Sequence, residues 1–186
     1  EDPRVVRIDD RVYMSYTAFE GWHSMRIGLT SIDLGDLKKG HWNWRRPLHI
    51  SPKNEIHKNW VIFPEKVNGK YAILHRISPS LGIEYVDSLD TFDDESTYIH
   101  SSYQPQDREY AWDNWVRGAG PPPIKTKEGW LVVCCRIQNH ASSNRVFAIE
   151  AYLLDLKNPK KVIGSTNSPL LVPEEIYEKE GLIKDT

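Results

Sequence analysis

The sequence is short of cysteine. Two thiols occur in 186 residues, and they are neighbours, Cys134 and Cys135. Neighbours on a strand point to opposite faces, which disfavours an intramolecular disulfide between them. No Cys/His spacing suits zinc, so no metal requirement and no bound cofactor are expected. Reduced, partly buried thiols favour a cytoplasmic setting. A periplasmic or secreted one stays open, because the opening Glu1-Asp2-Pro3-Arg4 has neither Met nor an apolar leader and predicts a processed chain or a fragment. No run approaches the ~20 apolar residues of a membrane span, so no membrane partner is expected. The formal net charge is −2. Its cations are scattered among carboxylates, without the basic stripe that nucleic acid would need. Long amphipathic helices are missing as well. The best candidate, Glu174–Glu180 closed by Gly181, reads equally as a surface turn.

Strand signals are what remain. Val12–Thr17 and Tyr71–Arg76 alternate in polarity, as does Trp130–Cys135 in part. A repeat underlies them. Ile8-Asp9-Asp10-Arg11-Val12-Tyr13-Met14 is followed by Ile27–Asp33. Val67-Asn68-Gly69-Lys70-Tyr71-Ala72-Ile73 is followed by Ile83–Asp90. Thr126-Lys127-Glu128-Gly129-Trp130-Leu131-Val132 is followed by Ile149–Asp155. Each unit is a tight polar turn, an apolar strand, a loop and a second strand ending in Asp. Asn68-Gly69 is a hairpin dipeptide. The turns recur about every sixty residues, a little above the ~40–50 of common propeller blades. Propellers close with four to eight blades, so a single β-propeller domain over residues 1–186 would be incomplete at one or both ends.

Four segments break the alternation with polar or rigid residues. Pro3 biases Asp2 towards an extended conformation, and a carboxylate there serves as a general acid if burial or Glu1 raises its pKa; the alternative is a solvated turn. Lys58 precedes an apolar strand, with Trp60 two residues on and on the same face, a pair suited to sugar or phosphate, or else a surface lysine beside a core indole. In His75-Arg76 a cation leaves the end of a strand, fitting an anion or a structural ion pair. In Trp112–Thr126, Gly118 and Gly120 permit unusual backbone angles before three stiffening prolines. The seven tryptophans divide between sugar platforms and blade packing, and the sequence does not separate the two.

These segments carry a resemblance. Glu1-Asp2-Pro3-Arg4, Phe63-Pro64-Glu65-Lys66 with Gly69-Lys70-Tyr71, His75-Arg76, Gly118–Ile124 with Thr126 and Gly129-Trp130-Leu131, and Leu153–Leu156 with Pro159 occur in this order in glycoside hydrolase family 130. The resemblance covers essentially the whole chain. It implies an all-β, five-bladed β-propeller, of which the chain supplies about three to four blades. It implies an enzyme acting on β-linked mannosides with inversion, with Asp2 as general acid, which in the family's phosphorylases acts through a hydroxyl of the mannose. The candidate contacts to oligosaccharide or phosphate are Arg4, Lys58, Asn59, His75, Arg76, Asp113 and Arg117. Phosphorylases of the family hold inorganic phosphate, their co-substrate, with four basic residues. Lys58 and Arg76 fall on two of these. Val116 and Cys135 fall on the others, with Arg117, Arg136 and His140 nearby. That departure puts hydrolysis ahead of phosphorolysis, with Glu65, Glu84 or Asp113 as the base. A non-catalytic carbohydrate-binding propeller is the reading from a different class, and a homo-oligomer is compatible with any of these.

Overall fold

The computed structural model describes residues 1–21, 23–78, 80–92, 94–101, 114–138, 146–181 and 184. These form three antiparallel sheets in chain order. The first contains β1 (Arg4–Ile8), β2 (Arg11–Phe19), β3 (Met25–Asp33) and β4 (Leu48–His49), paired in that sequence. The second is β5 (Val61–Ile62), β6 (Tyr71–Arg76) and β7 (Gly82–Val86). The third orders β8 (Asn114–Ala119), β10 (Trp130–Gln138), β11 (Val146–Leu154) and β12 (Val162–Ser165), with β9 (Ile124–Lys125) also on β10. Each sheet is one repeat of the sequence, and each is a blade.

The middle blade shows why the sheets stack. Val61 and Ile62 are successive strand residues, so they face opposite sides. Ile62 and Ile73 join Val6, Ile8 and Ile27 of the first blade in one core. Val61 and Leu74 join Ala119, Trp130 and Val132 of the third blade in another. A strand buried on both faces reads as a continuous apolar run, and Ala72-Ile73-Leu74 is one. Rings bridge both joints: Tyr13 meets Tyr71 edge-on at 6.2 Å, and Phe63 meets Trp130 at 5.1 Å. Burial and the Tyr71 hydrogen bond push the Tyr13 phenol up to about 12.

Helix is confined to the connections. Asp33 accepts from the backbone N–H groups of Gly35 and Asp36 and starts α1 (Leu34–Lys38). The C-terminal helix candidate is a single turn, α2 (Ile176–Lys179), opened by a capping box between Glu175 and Glu178. Cys134 is buried, its thiol donating to the Glu150 carbonyl at 3.5 Å, and burial raises its pKa to about 12.

Candidate active site

The first strands of the three blades are β1, β5 and β8. Each has a residue with positive φ beside or within it: Asp2 at 54° and Asn59 at 62° two residues ahead of β1 and β5, and Gly118 at 150° inside β8, one residue from its end. Asp2 is thus left-handed, not extended as Pro3 led the sequence reading to expect. Asn59 and Gly118 hold the same place in the repeat, twelve residues before Tyr71 and Trp130, and Asp2 a nearby one, ten before their counterpart Val12. A positive φ is uncommon outside glycine, and asparagine and aspartate are the residues that tolerate it best.

Two of these positions are also β-bulges. Glu1 exchanges backbone hydrogen bonds with Thr17, while Arg4 pairs with Ser15, so Asp2 and Pro3 together oppose Tyr16. On β8, Gly118 pairs with Cys135 and Val116 with Arg136, which leaves Arg117 as the extra residue. Such bulges bend a strand and re-aim its side chains.

The kinks bring their residues together. Arg4 links all three blades. Its Nη1 donates to the Asp2 carbonyl at 2.7 Å, its Nη2 to Asn59 Oδ1 at 2.7 Å and its Nε to the Gly120 carbonyl at 2.9 Å. Lys58 Nζ lies 2.6 Å from Glu1 Oε1 and 3.9 Å from Asp2 Oδ2. Asn59 packs on Gly118 so closely that an added Cβ there would sit 2.7 Å from the Asn59 Cβ. The Asp2 side chain is 48% exposed. A carboxylate, an ammonium and a carboxamide therefore share one rim.

The remaining sequence candidates divide. His75 and Arg76 are on the next strand of the second blade. Arg76 donates to the Ser80 carbonyl at 2.9 Å and to its hydroxyl at 3.2 Å. His75 is half-buried: Nδ1 lies 2.8 Å from Ser101 Oγ, and the ring stands 5.4 Å from that of Trp60. Burial, then the Arg76 charge, holds its imidazole down to about 4, so it is neutral near pH 7. Trp60 corrects one expectation. Residues 58–60 are not a strand and Asn59 has positive φ, so strand alternation does not relate Trp60 to Lys58. Trp60 is 2% exposed and packs between His57 and His75 as core, not as a sugar platform. His57 is also held below its ordinary pKa by burial, against the pull of Glu55 at 2.8 Å.

Of the three possible bases, Glu65 pairs with Lys125 beyond the far end of β5. Glu84 is exposed on β7, two strands out from β5. Asp113 and His140 lie outside the described residues, as does the side chain of Arg117. Arg136 Nε stands 2.7 Å from the buried Glu150 Oε1, so this cation is occupied inside its sheet. Among the described residues no three His, Cys, Asp or Glu converge as a metal site. A separate cavity of about 470 Å³ lies between the first two blades, against Tyr13, Ser31, Arg46 and the Arg45–Asp90 ion pair. It contains none of the sequence candidates.

The Arg4 clamp and the Asn59–Gly118 contact escaped the sequence reading. The signal for the second was an Asn and a Gly at one position of the repeat.

Stacked antiparallel blades, with polar residues of all three gathered around Arg4, define a β-propeller with a candidate ligand site at that cluster. The chain belongs to glycoside hydrolase family 130: a family model described as beta-1,4-mannooligosaccharide phosphorylase matches residues 1–186. A 1,2-beta-oligomannan phosphorylase of Thermoanaerobacter sp. (strain X514) is 37% identical over 98% of this chain and 56% of its own length. A beta-1,4-mannooligosaccharide phosphorylase of Ruminococcus albus is 30% identical over 99% of this chain and 52% of its own. Among solved structures, the beta-1,2-mannobiose phosphorylase of Listeria innocua, in complex with beta-1,2-mannobiose, superposes with a TM-score of 0.66 at 26% identity. It covers all of this chain and 49% of that one. The three blades are thus part of a five-bladed propeller. The chain spans about half the length of the relatives it matches.

Proposed function

We propose that the protein containing this chain is a β-mannoside phosphorylase acting on β-1,2-linked manno-oligosaccharides. The relatives named above are phosphorylases, and the β-1,2-specific one is more similar to this chain than the β-1,4-specific one. This favours the phosphorolytic alternative over the hydrolysis that the sequence reading ranked first.

One structural observation carries the change of order. Val116 and Cys135 stand where phosphorylases have cations, and on a regular strand the one-residue slip to Arg117 would reverse the side chain's face. That objection assumes a regular strand. The bulge leaves Arg117 as an additional residue opposite β10, so alternation does not separate positions 116 and 117 as it would in an unbroken ladder. Lys58, beside Asp2, supplies a second cation for the same anion.

In this reading Asp2 gives its proton, through a mannose hydroxyl, to the glycosidic oxygen. A phosphate oxygen attacks the anomeric carbon from the opposite face. The glycosidic C–O bond breaks as the C–O bond to phosphate forms, giving mannose 1-phosphate of inverted configuration and a shortened saccharide. No protein base is needed, which fits the placement of Glu65 and Glu84 away from Asp2.

The test is product analysis of the full-length protein on β-1,2- and β-1,4-mannobiose, with and without phosphate. Mannose 1-phosphate formed only with phosphate, and faster from the β-1,2 substrate, is expected. Free mannose released at a phosphate-independent rate would overturn phosphorolysis and turn attention to Asp113 as base.

A further inference from the structure

Arg4 belongs, by its sequence position beside Asp2, among the candidate contacts to substrate. Its hydrogen bonds point elsewhere. All three guanidinium nitrogens donate to protein acceptors, one in each blade: the Asp2 carbonyl, Asn59 Oδ1 and the Gly120 carbonyl, with the Ala119 carbonyl at 3.4 Å from Nε. We infer that Arg4 is a positioning residue, fixing the direction of the Asn59 carboxamide and the Asp2 backbone relative to each other. The inference rests on the phosphorylase reading for what the site does, and on geometry alone for what Arg4 does.

The chemistry of the two side chains sets the direction. Arginine has only donors. The Asn59 atom that meets Nη2 must therefore be the oxygen, and the amide nitrogen is turned away from Arg4. Asn59 thus presents two N–H donors and no acceptor to whatever lies beyond. Without Arg4, rotation about the last side-chain bond exchanges donor for acceptor. Asn59 is anchored from behind as well, since Gly118 leaves room for it and no other residue would. Asp2 is held by its carbonyl, not by its carboxylate, so the clamp fixes where the carboxylate starts from without neutralising it.

Lysine cannot replace this fork. A single ammonium at the end of a flexible stem does not reach three acceptors lying in three directions. Arg4→Lys keeps the charge and should still lose the arrangement, which separates positioning from electrostatics.

The experiment uses the full-length protein with Arg4→Ala, Arg4→Lys, Asn59→Ala and the Arg4→Ala/Asn59→Ala double variant. The rate constant kcat/KM for β-1,2-mannobiose and phosphate is read for each. About 10²-fold loss is expected for each single variant, on the scale of a displaced catalytic group. If Arg4 acts through Asn59, the double variant loses little more than the worse single one. Multiplicative losses would overturn the inference, as would an Arg4→Lys enzyme as active as wild type. A second readout does not depend on turnover. The side-chain amide resonances of Asn59, identified by their loss in Asn59→Ala, should move in Arg4→Lys. Unmoved resonances would overturn the positioning role even in a protein that proves inactive on mannosides. Absence of mannose 1-phosphate from wild type would instead sink the functional reading and leave the amide result to decide Arg4.

Discussion

The two ends of the first strands use one backbone conformation for different purposes. At the turn ends, Asp9 and Asn68 have φ of 54° and 52° and let the chain reverse into β2 and β6. At the entry ends, Asp2 and Asn59 have nearly the same φ, but no reversal follows. The turn residues serve the fold: Asn68 precedes a glycine and donates to the Lys157 carbonyl. The entry residues kink a strand to aim a side chain and are held by contacts across blades. A left-handed residue is therefore uninformative until its neighbours show whether it turns the chain or bends it. The third blade makes the same point without a left-handed turn, since Thr126 Oγ1 accepts from the Glu128 and Gly129 backbone N–H groups instead.

The largest expected contrast is chemical. Asp2→Asn should lower kcat by 10²–10⁴-fold, the usual worth of a general acid, with the melting temperature unchanged. Asp9→Asn at the turn should leave the steady-state rate alone. A wild-type rate in Asp2→Asn would remove Asp2 as the acid.

Next comes Gly118→Ala, which meets both a positive φ and the Asn59 side chain. We expect ~1–3 kcal/mol of destabilisation in a chemical denaturation curve and a rise in KM from displacement of Asn59. By contrast, Asn68→Ala should cost ~1 kcal/mol of stability and nothing in KM. Equal effects of both substitutions on KM would erase the distinction between the two ends.

A third contrast is in pH. Against Trp60, burial and then the Arg76 charge hold the His75 imidazole down to about 4, from 6.5 for the free side chain. The unfolded chain thus takes up a proton that the folded one refuses, and stability falls as pH drops from 6.5 towards 4. The separation corresponds to ~3 kcal/mol at ~1.4 kcal/mol per pH unit. His75→Gln should flatten this part of the profile, checked by urea midpoints at pH 7 and 4.5. An unchanged slope would show that other groups, such as His57, carry the dependence.

Much of the fold was legible because its determinants are local. Asn68-Gly69, the alternation of Tyr71–Arg76 and the sixty-residue repeat each report on neighbours in sequence, and β6 has the bounds that its pattern predicts. Asp2 and Lys58 were legible as candidates through the family's motif. What was not legible depends on contacts between blades. Arg4 reads as a ligand-binding cation until Asn59 and Gly120, more than fifty residues away, are seen to accept its hydrogen bonds. Trp60 reads as the companion of Lys58 until its burial between His57 and His75 is seen. The bulge at Arg117 has no short signature, since it is a mismatch between two strands.

The most direct test of the central claim, that Asp2, Asn59 and the Gly118–Gly120 end of β8 form one site, is a crystal structure of the full-length protein with β-1,2-mannobiose. The account predicts a mannose ring within hydrogen-bonding distance of the Asp2 carboxylate and the Asn59 amide nitrogen, with Arg4 still on Asn59 Oδ1. A disaccharide bound instead in the cavity beside Tyr13 and the Arg45–Asp90 pair, with that cluster vacant, would contradict it.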